Sequence, residues 1–191
     1  MKKIILKKTD KPKTGKRVGG KIKNSMVSIS YHGTSLILID PLFRTNILLE
    51  EDSFYKAISR HGAFDMANVD GPTIARLLKE STLRMTIDTY LWPFTKTCGY
   101  YDPKEPSIIY LNQWHFNRSI PSFCNTLVHK IVQAVNADNP QYEFGHGNNS
   151  PDGKENTAPY WIGNLAEKII SNEHKLASPQ YMVKNIADSA I

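Results

Sequence analysis

The sequence predicts an α+β domain in which a small antiparallel sheet packs on helices. Residues 25–31 and 82–91 alternate between apolar and polar side chains, as half-buried strands do, and residues 107–111 (Ser-Ile-Ile-Tyr-Leu) read as a further strand. Residues 119–137 instead repeat apolar side chains at helical spacing, and segments rich in polar residues, Gly and Pro separate these units. The 191 residues, 40% hydrophobic and 22% charged, are enough for one domain with its own core.

The first half of the chain predicts one strand, a short helical segment and a capped helix. The strand over 25–31 is followed by an apolar run over 36–39 that Pro41 is expected to end. Residues 53–59 fit one or two helical turns. The sequence of 70–72 (Asp-Gly-Pro) supplies an N-cap and an early proline, which predicts a helix from there to about Glu80.

The middle of the chain predicts two strands. In the strand over 82–91, Leu83, Met85 and Ile87 share one face, so that face should be buried. The Gly-, Asp- and Pro-containing stretch 98–106 reads as a loop, and a second strand follows over 107–111.

The last third predicts helices around a polar loop. Ser119, followed by Pro121, starts the helix that is most strongly patterned, and it should run to about Ala137. Residues 140–157 form a polar loop. Two further helices are expected over 158–171 and 179–189.

Positive charge is concentrated at the start of the chain. Residues 1–24 contain ten Lys or Arg and one acid, whereas the rest has fourteen basic and seventeen acidic residues. Their low apolar content predicts a disordered basic arm, ahead of a folded domain over 25–191. An arm of this charge suits an acidic partner or nucleic acid, although a solubilising or delivery extension is an equally simple interpretation.

Composition excludes several classes of protein. The two cysteines, Cys98 and Cys124, are too few for a disulfide framework or a four-cysteine zinc site. No apolar run reaches the roughly 18–20 residues of a membrane span. The three apolar residues 4–6 are too few for the core of a secretory signal, so we expect no membrane span and a cytoplasmic location.

The helix over 119–137 carries the pattern that indicates chemistry. Zinc hydrolases place two histidines at i and i+4 on one helix face, with a Glu directly after the first His to polarise the metal-bound water. Here His129 takes the first position, Lys130 stands where the base would be, and Gln133 stands where the second ligand would be. His146 follows seventeen residues after His129, between two glycines.

This arrangement resembles the zincin metallopeptidases, in particular the small SprT-like group. The resemblance covers about residues 70–170 and implies a compact zincin-like domain. It implies His129, Gln133 and His146 as the positions of the zinc ligands, Lys130 as the position of the general base, and a protein or peptide as substrate. Some bacterial effector proteases share this build, which adds delivery into a host cell by a non-classical route as an alternative location.

The departures from the motif predict an inactive enzyme. Lys130 is a cation where a base is needed, and it also repels a metal dication. Gln133 offers a neutral amide oxygen, a poor zinc ligand beside imidazole. Glu to Lys and His to Gln are single-base changes, which favours an active parent that bound Zn²⁺ and a present chain without metal. A pseudoenzyme that binds a protein without cutting it, and an unrelated α+β domain, are the alternatives.

Three further groups of residues carry weaker hypotheses. Trp114, His115 and Phe116 follow the second strand of the middle region, and they could hold a peptide along the cleft or simply cover the edge of the core. Residues 31–34 (Tyr-His-Gly-Thr) are similar to the first motif of ADP-ribosyltransferases, whose other motifs have no persuasive counterpart here. Cys124 lies about 140° around the helix from His129, which favours a buried structural thiol over a Cys–His pair.

Overall fold

The computed structural model describes residues 27–145 and 153–176, with side chains to residue 173. The predicted arm 1–24 and the predicted helix 179–189 lie outside the described residues. The helices are α1 (Ile39–Leu48), α2 (Asp52–His61), α3 (Gly71–Glu80), α4 (Ile120–Asp138) and α5 (Ala158–Leu176). The strands are β1 (Ser28–Tyr31), β2 (Arg84–Tyr90), β3 (Gly99–Tyr101) and β4 (Ile108–Asn112), with short 3-10 helices at Leu36–Leu38 and Gln113–His115.

The domain is α+β as predicted, but the prediction of an antiparallel sheet is wrong. The strand order is β1-β2-β4-β3; β2 is parallel to both β1 and β4, and only β3 and β4 are antiparallel. Three helices separate β1 from β2 and return the chain to the same end of the sheet, which makes that pair parallel. The segment containing β3 does the same between β2 and β4.

Two elements differ from the sequence prediction because each lacks a clear pattern. The run 36–39 does not end at Pro41 but enters α1, where the proline occupies the first turn. A first-turn residue has no intrahelical partner for its N–H, so proline costs little there. β3 lies inside the predicted loop 98–106. With three residues, the strand is too short for alternation to be visible in the sequence.

The most strongly patterned elements are confirmed. Met85 and Ile87 on β2 are buried, as the alternation requires. The Asp70 side chain accepts a hydrogen bond from Thr73 N at 2.9 Å and caps α3. Ser119 caps α4 through Ser122 N.

Helix α4 lies at the centre of the core. It packs against α5, α1 and α3, and most of its side chains are buried. A Cβ at Gly163 of α5 would lie 2.6 Å from Asn125 Oδ1, so the glycine lets the two helices approach closely. The α5 residues that face α4 recur every fourth position: Ala158, Ile162, Ala166 and Ile170. This packing fixes the orientation of His129.

Candidate functional site

Two of the predicted ligand positions lie together on α4. The amide nitrogen of Gln133 is 3.2 Å from Nε2 of His129, one helical turn away. The Tyr160 ring of α5 packs edge-on against the His129 ring, with 4.5 Å between centroids. Burial of Tyr160 raises the pKa of its hydroxyl. His129 itself is buried, so helix packing fixes its imidazole.

Lys130 is half-buried, and no acid among the described residues forms an ion pair with it. Burial lowers the pKa of its amine to about 8, and the nearby Cys98 thiol opposes this shift. Its place beside the expected cleft predicts a carboxylate, or a backbone carbonyl of the 140–157 loop, within hydrogen-bonding distance of the Lys130 amine. This expectation is wrong for the described part of that loop and of the chain, in which Lys130 forms neither a hydrogen bond nor an ion pair. The amine remains mostly protonated at neutral pH.

The third predicted ligand, His146, lies outside the described residues, so its position relative to His129 stays a prediction. The chain approaches it along a fixed path. Phe144 N donates to Asn136 Oδ1 of α4 at 3.1 Å, and Phe144 O accepts from Ala158 N at 3.2 Å. Gly145 has φ +79°, and a Cβ there would lie 2.1 Å from Asp65 O, so the close approach requires glycine.

The described residues of the motif do not fit a zinc ion. His129 provides one imidazole, and Gln133 provides an amide whose nitrogen faces that imidazole. Among the described side chains, residues 27–145 and 153–173, no group of three His, Cys, Asp or Glu is placed to bind a metal. The protonated Lys130 adds an unfavourable charge. The prediction of zinc therefore concerns an active parent, and no chemical step of this chain is assigned to the metal.

Strand β3 lies along α4 and forms an edge of the sheet. Cys98, which directly precedes β3, is close enough to Lys130 to affect the pKa of the Lys130 amine. Tyr101 is similarly close to Asp138, whose charge helps to raise the pKa of the Tyr101 hydroxyl. Cys98 O accepts from Asn112 N of β4, so antiparallel alternation directs the backbone polar groups of Gly99 and Tyr101 away from β4. No described strand pairs with this outer edge.

A second half-buried cation lies on the same side of α4. The Arg118 guanidinium packs on the Phe123 ring at 4.1 Å, and its Nη1 donates to Thr126 Oγ1 at 2.7 Å. Its Nε and Nη2 are buried and have no hydrogen-bond partner among the described residues. Burial lowers the pKa of Arg118, which like Lys130 is influenced by the Cys98 thiol. No sequence pattern indicates a role for this arginine beyond its place directly before α4.

The structure gives each of the three predicted substrate-binding residues a different environment. Phe116 packs against Phe123 in the core, with ring centroids 5.7 Å apart, and so covers the core edge. His115 Nε2 lies 2.6 Å from Thr95 O and holds the preceding loop. Trp114 is 48% exposed and contacts Phe94, with ring centroids 5.1 Å apart. Of the three, Trp114 presents the most ring surface to a ligand.

The loop between β2 and β3 presents aromatic side chains that sequence reasoning missed. Trp92 is 61% exposed and Phe94 is 91% exposed, with φ +61° at Phe94. The fully buried Asn112 holds this loop: its side chain accepts from Trp92 N and Trp114 N and donates to Trp92 O and Thr97 O. The apolar run 91–94 around Pro93 is the signal that could have indicated an exposed loop tip.

The two remaining hypotheses concern Cys124 and residues 31–34, and in both cases the structure shows a local structural role. Cys124 is fully buried with Sγ 3.5 Å from Pro41 O, and burial raises the pKa of its thiol to about 11, as expected of a structural cysteine. The Tyr31 hydroxyl accepts from Ser35 N at 3.3 Å, so the segment similar to the ADP-ribosyltransferase motif closes a turn on itself.

Comparison of the chain with known protein families, with curated proteins and with solved structures finds no match. None of the helices in the described ranges has the length and apolar character that crossing a bilayer requires.

Proposed function

We propose that this protein is a zincin-like metallopeptidase that has lost hydrolysis and now binds an extended polypeptide between β3 and α4. The observation that carries the proposal is the Gln133 amide held against the His129 imidazole, on the helix that lies beside an edge strand. Both motif positions face one place, as two ligands of one metal would in an active parent.

The loss of hydrolysis follows from the side chains at the motif. A zinc peptidase needs a carboxylate to take a proton from the attacking water. Lys130 is mostly protonated at neutral pH, because its pKa of about 8 lies above that value. Gln133 contributes one weak neutral ligand instead of an imidazole.

Binding of an extended polypeptide is supported by the outer edge of β3. Gly99 and Tyr101 direct backbone donors and acceptors outward, and a peptide in extended conformation can pair with them as an added strand. Trp114 and Phe94 lie next to the start of β3 and offer an apolar surface for one side chain of that peptide. Exposed aromatic patches of this kind are typical of interaction sites.

The charge of this side of α4 favours an acidic segment. Lys130 and Arg118 are half-buried cations, and neither forms an ion pair with a described residue. An unpaired buried charge is costly, so a carboxylate brought by the ligand would recover part of that cost. We therefore expect acidic peptides to bind more tightly than basic ones.

Restoring the motif tests the ancestry. The double variant Lys130→Glu with Gln133→His should bind one zinc per chain by elemental analysis and cleave casein as an unstructured substrate. The matched controls are the two single variants, each of which lacks either the base or the second ligand. If the folded double variant retains no zinc after dialysis, the zincin hypothesis is wrong.

Blocking the β3 edge tests peptide binding independently of zinc. Fluorescently labelled, unfolded casein should bind the unchanged chain without being cut, as measured by polarisation and gel electrophoresis. Tyr101→Pro removes an outward N–H, whereas Tyr101→Val removes the same ring and keeps the N–H. Binding lost in both variants, or retained in both, would contradict strand addition at β3.

A second candidate function rests on the charge of residues 1–24. A net of nine positive charges would bind nucleic acid or an acidic partner through phosphate or carboxylate contacts. Loss of DNA binding on deletion of 1–24, with a steep dependence on salt, would support this function. Location in the cytoplasm or in a host cell stays a prediction.

A further inference from the structure

Helix α1 exposes a continuous apolar face to solvent. Leu36, the first residue of the 3-10 helix that leads into α1, is 78% exposed, and Phe43 is 59% exposed. Ile39 and Ile47 complete a stripe at spacings of three or four residues, with exposures of 42% and 40%. The opposite face of α1 packs Leu42 and other side chains into the core. A stripe of this size on one helix is typical of a surface that another element covers.

The stripe ends in a groove where α1 meets α5. The groove has a volume of about 110 Å³, and its lining includes Phe43 and Ile47 from α1 and Ile170 and Glu173 from α5. Glu173 lies within one helical turn of Leu176, the last described residue. The chain therefore continues beyond α5 from a point beside the groove.

The sequence that follows has the complementary pattern. Projected on a helix at 100° per residue, five apolar side chains between 182 and 190 fall within an arc of about 140°. Four polar side chains fall outside that arc. The apolar residues are Met182, Val183, Ile186, Ala187 and Ala190, and the polar ones are Lys184, Asn185, Asp188 and Ser189.

We propose that residues 177–191 bind the apolar face of α1, with Ile186 opposite Phe43. The four residues 177–180 span up to about 13 Å, enough to turn from α5 to α1. A helix over 181–191, which begins two residues later than the helix predicted over 179–189, and the stripe over 36–47 are each about 15–17 Å long at 1.5 Å per residue. Because the groove lies at the end of α1, the segment runs antiparallel to that helix.

Disulfide formation tests this placement. In the 191-residue chain carrying Cys98→Ser, the pair Phe43→Cys with Ile186→Cys should form an intramolecular disulfide under mild oxidation, at protein dilutions that prevent dimers. The control pair, Phe43→Cys with Asp188→Cys, places the second thiol on the polar side and should not form it. Intramolecular disulfide in the first pair alone supports the proposal.

The other outcomes overturn it. Disulfide between two chains in the first pair would indicate a second copy as the occupant of the face. Equal formation in both pairs, or none in either, would show that the segment does not dock in this orientation.

Exposure of the α1 face gives a second readout that needs no cysteines. Ile186→Asp in the 191-residue chain should increase the fluorescence of an added apolar dye to the level of a chain ending at residue 176, whereas Asn185→Asp should leave it unchanged. Far-UV circular dichroism checks that each variant folds. If the shortened chain and the 191-residue chain bind the dye equally, the face is not covered by 177–191.

Discussion

Gln133 places its side-chain amide 3.2 Å from Nε2 of His129, at the helical spacing that zinc hydrolases use for two imidazoles. In this chain the amide and the imidazole form a hydrogen bond with each other, whereas in a zinc hydrolase the side chains at these two positions bind the metal. Their relationship makes the motif a hydrogen-bonded pair inside a packed α4–α5 interface, with Tyr160 against the imidazole.

Replacing Lys130 with Met should make stability less dependent on pH between 8 and 10.5. The folded-state pKa of about 8 lies below the ordinary value of 10.5. Between these values the unfolded chain keeps a proton that the folded chain has lost, so this lysine makes stability rise with pH. Below pH 8 both states are charged and the full burial cost remains. Lys130→Met should therefore be more stable than the unchanged chain at pH 7, and the difference should shrink by pH 9.5.

Urea denaturation at several pH values measures the Lys130 effect. Lys168→Met is the matched control, because Lys168 is exposed on α5 and its loss changes net charge by the same amount. The two proteins are compared by their free energies of unfolding. If the difference between the Lys130 variant and the unchanged chain stays constant with pH, burial does not lower the pKa of the amine.

Asn112→Ala should destabilise the domain by about 2–4 kcal/mol, since it leaves several backbone groups of the 91–97 loop without partners. Asn112 is fully buried and bonds to Trp92 and Thr97. Gln113→Ala removes an exposed neighbour that bonds to Thr89, and it should cost less than about 0.5 kcal/mol. Equal midpoints for the two variants in thermal denaturation would contradict the role of Asn112.

Phe94→Asn should stabilise the loop while weakening peptide binding. Phe94 has φ +61°, a conformation that Asn adopts more readily than other residues with a Cβ. We expect a gain of about 0.5–1 kcal/mol, whereas Phe94→Ala keeps the strain and should show none. Both variants should bind unfolded casein more weakly, because each removes the exposed ring. Unchanged casein affinity in both would exclude this ring from the binding surface.

The two thiols should differ strongly in reactivity. Cys98 is half-buried, whereas Cys124 is fully buried with a pKa raised to about 11. A thiolate-specific reagent should modify one thiol per folded chain and two after denaturation. Cys98→Ser should abolish the reaction in the folded state; if a thiol still reacts, α4 opens far more readily than its packing indicates.

The sequence by itself determined the elements whose pattern is local. α4 was predicted from its N-cap Ser119, from Pro121 in its first turn and from its apolar spacing, because capping and helix periodicity act within a few residues. The inward face of β2 followed from the same kind of local alternation. The proximity of His129 and Gln133 is also local, since residues at i and i+4 share a helix face.

Tertiary structure decided what depends on contacts between distant segments. The parallel direction of β1, β2 and β4 is set by the path of the connecting segments, which no strand pattern records. β3 exists because β4 supplies its hydrogen bonds, and Asn112 fixes the exposed loop only after β2 and β4 are side by side. Lys130 acquires its lowered pKa in the same way: desolvation depends on which elements cover a side chain, and a sequence of one helix does not contain that information.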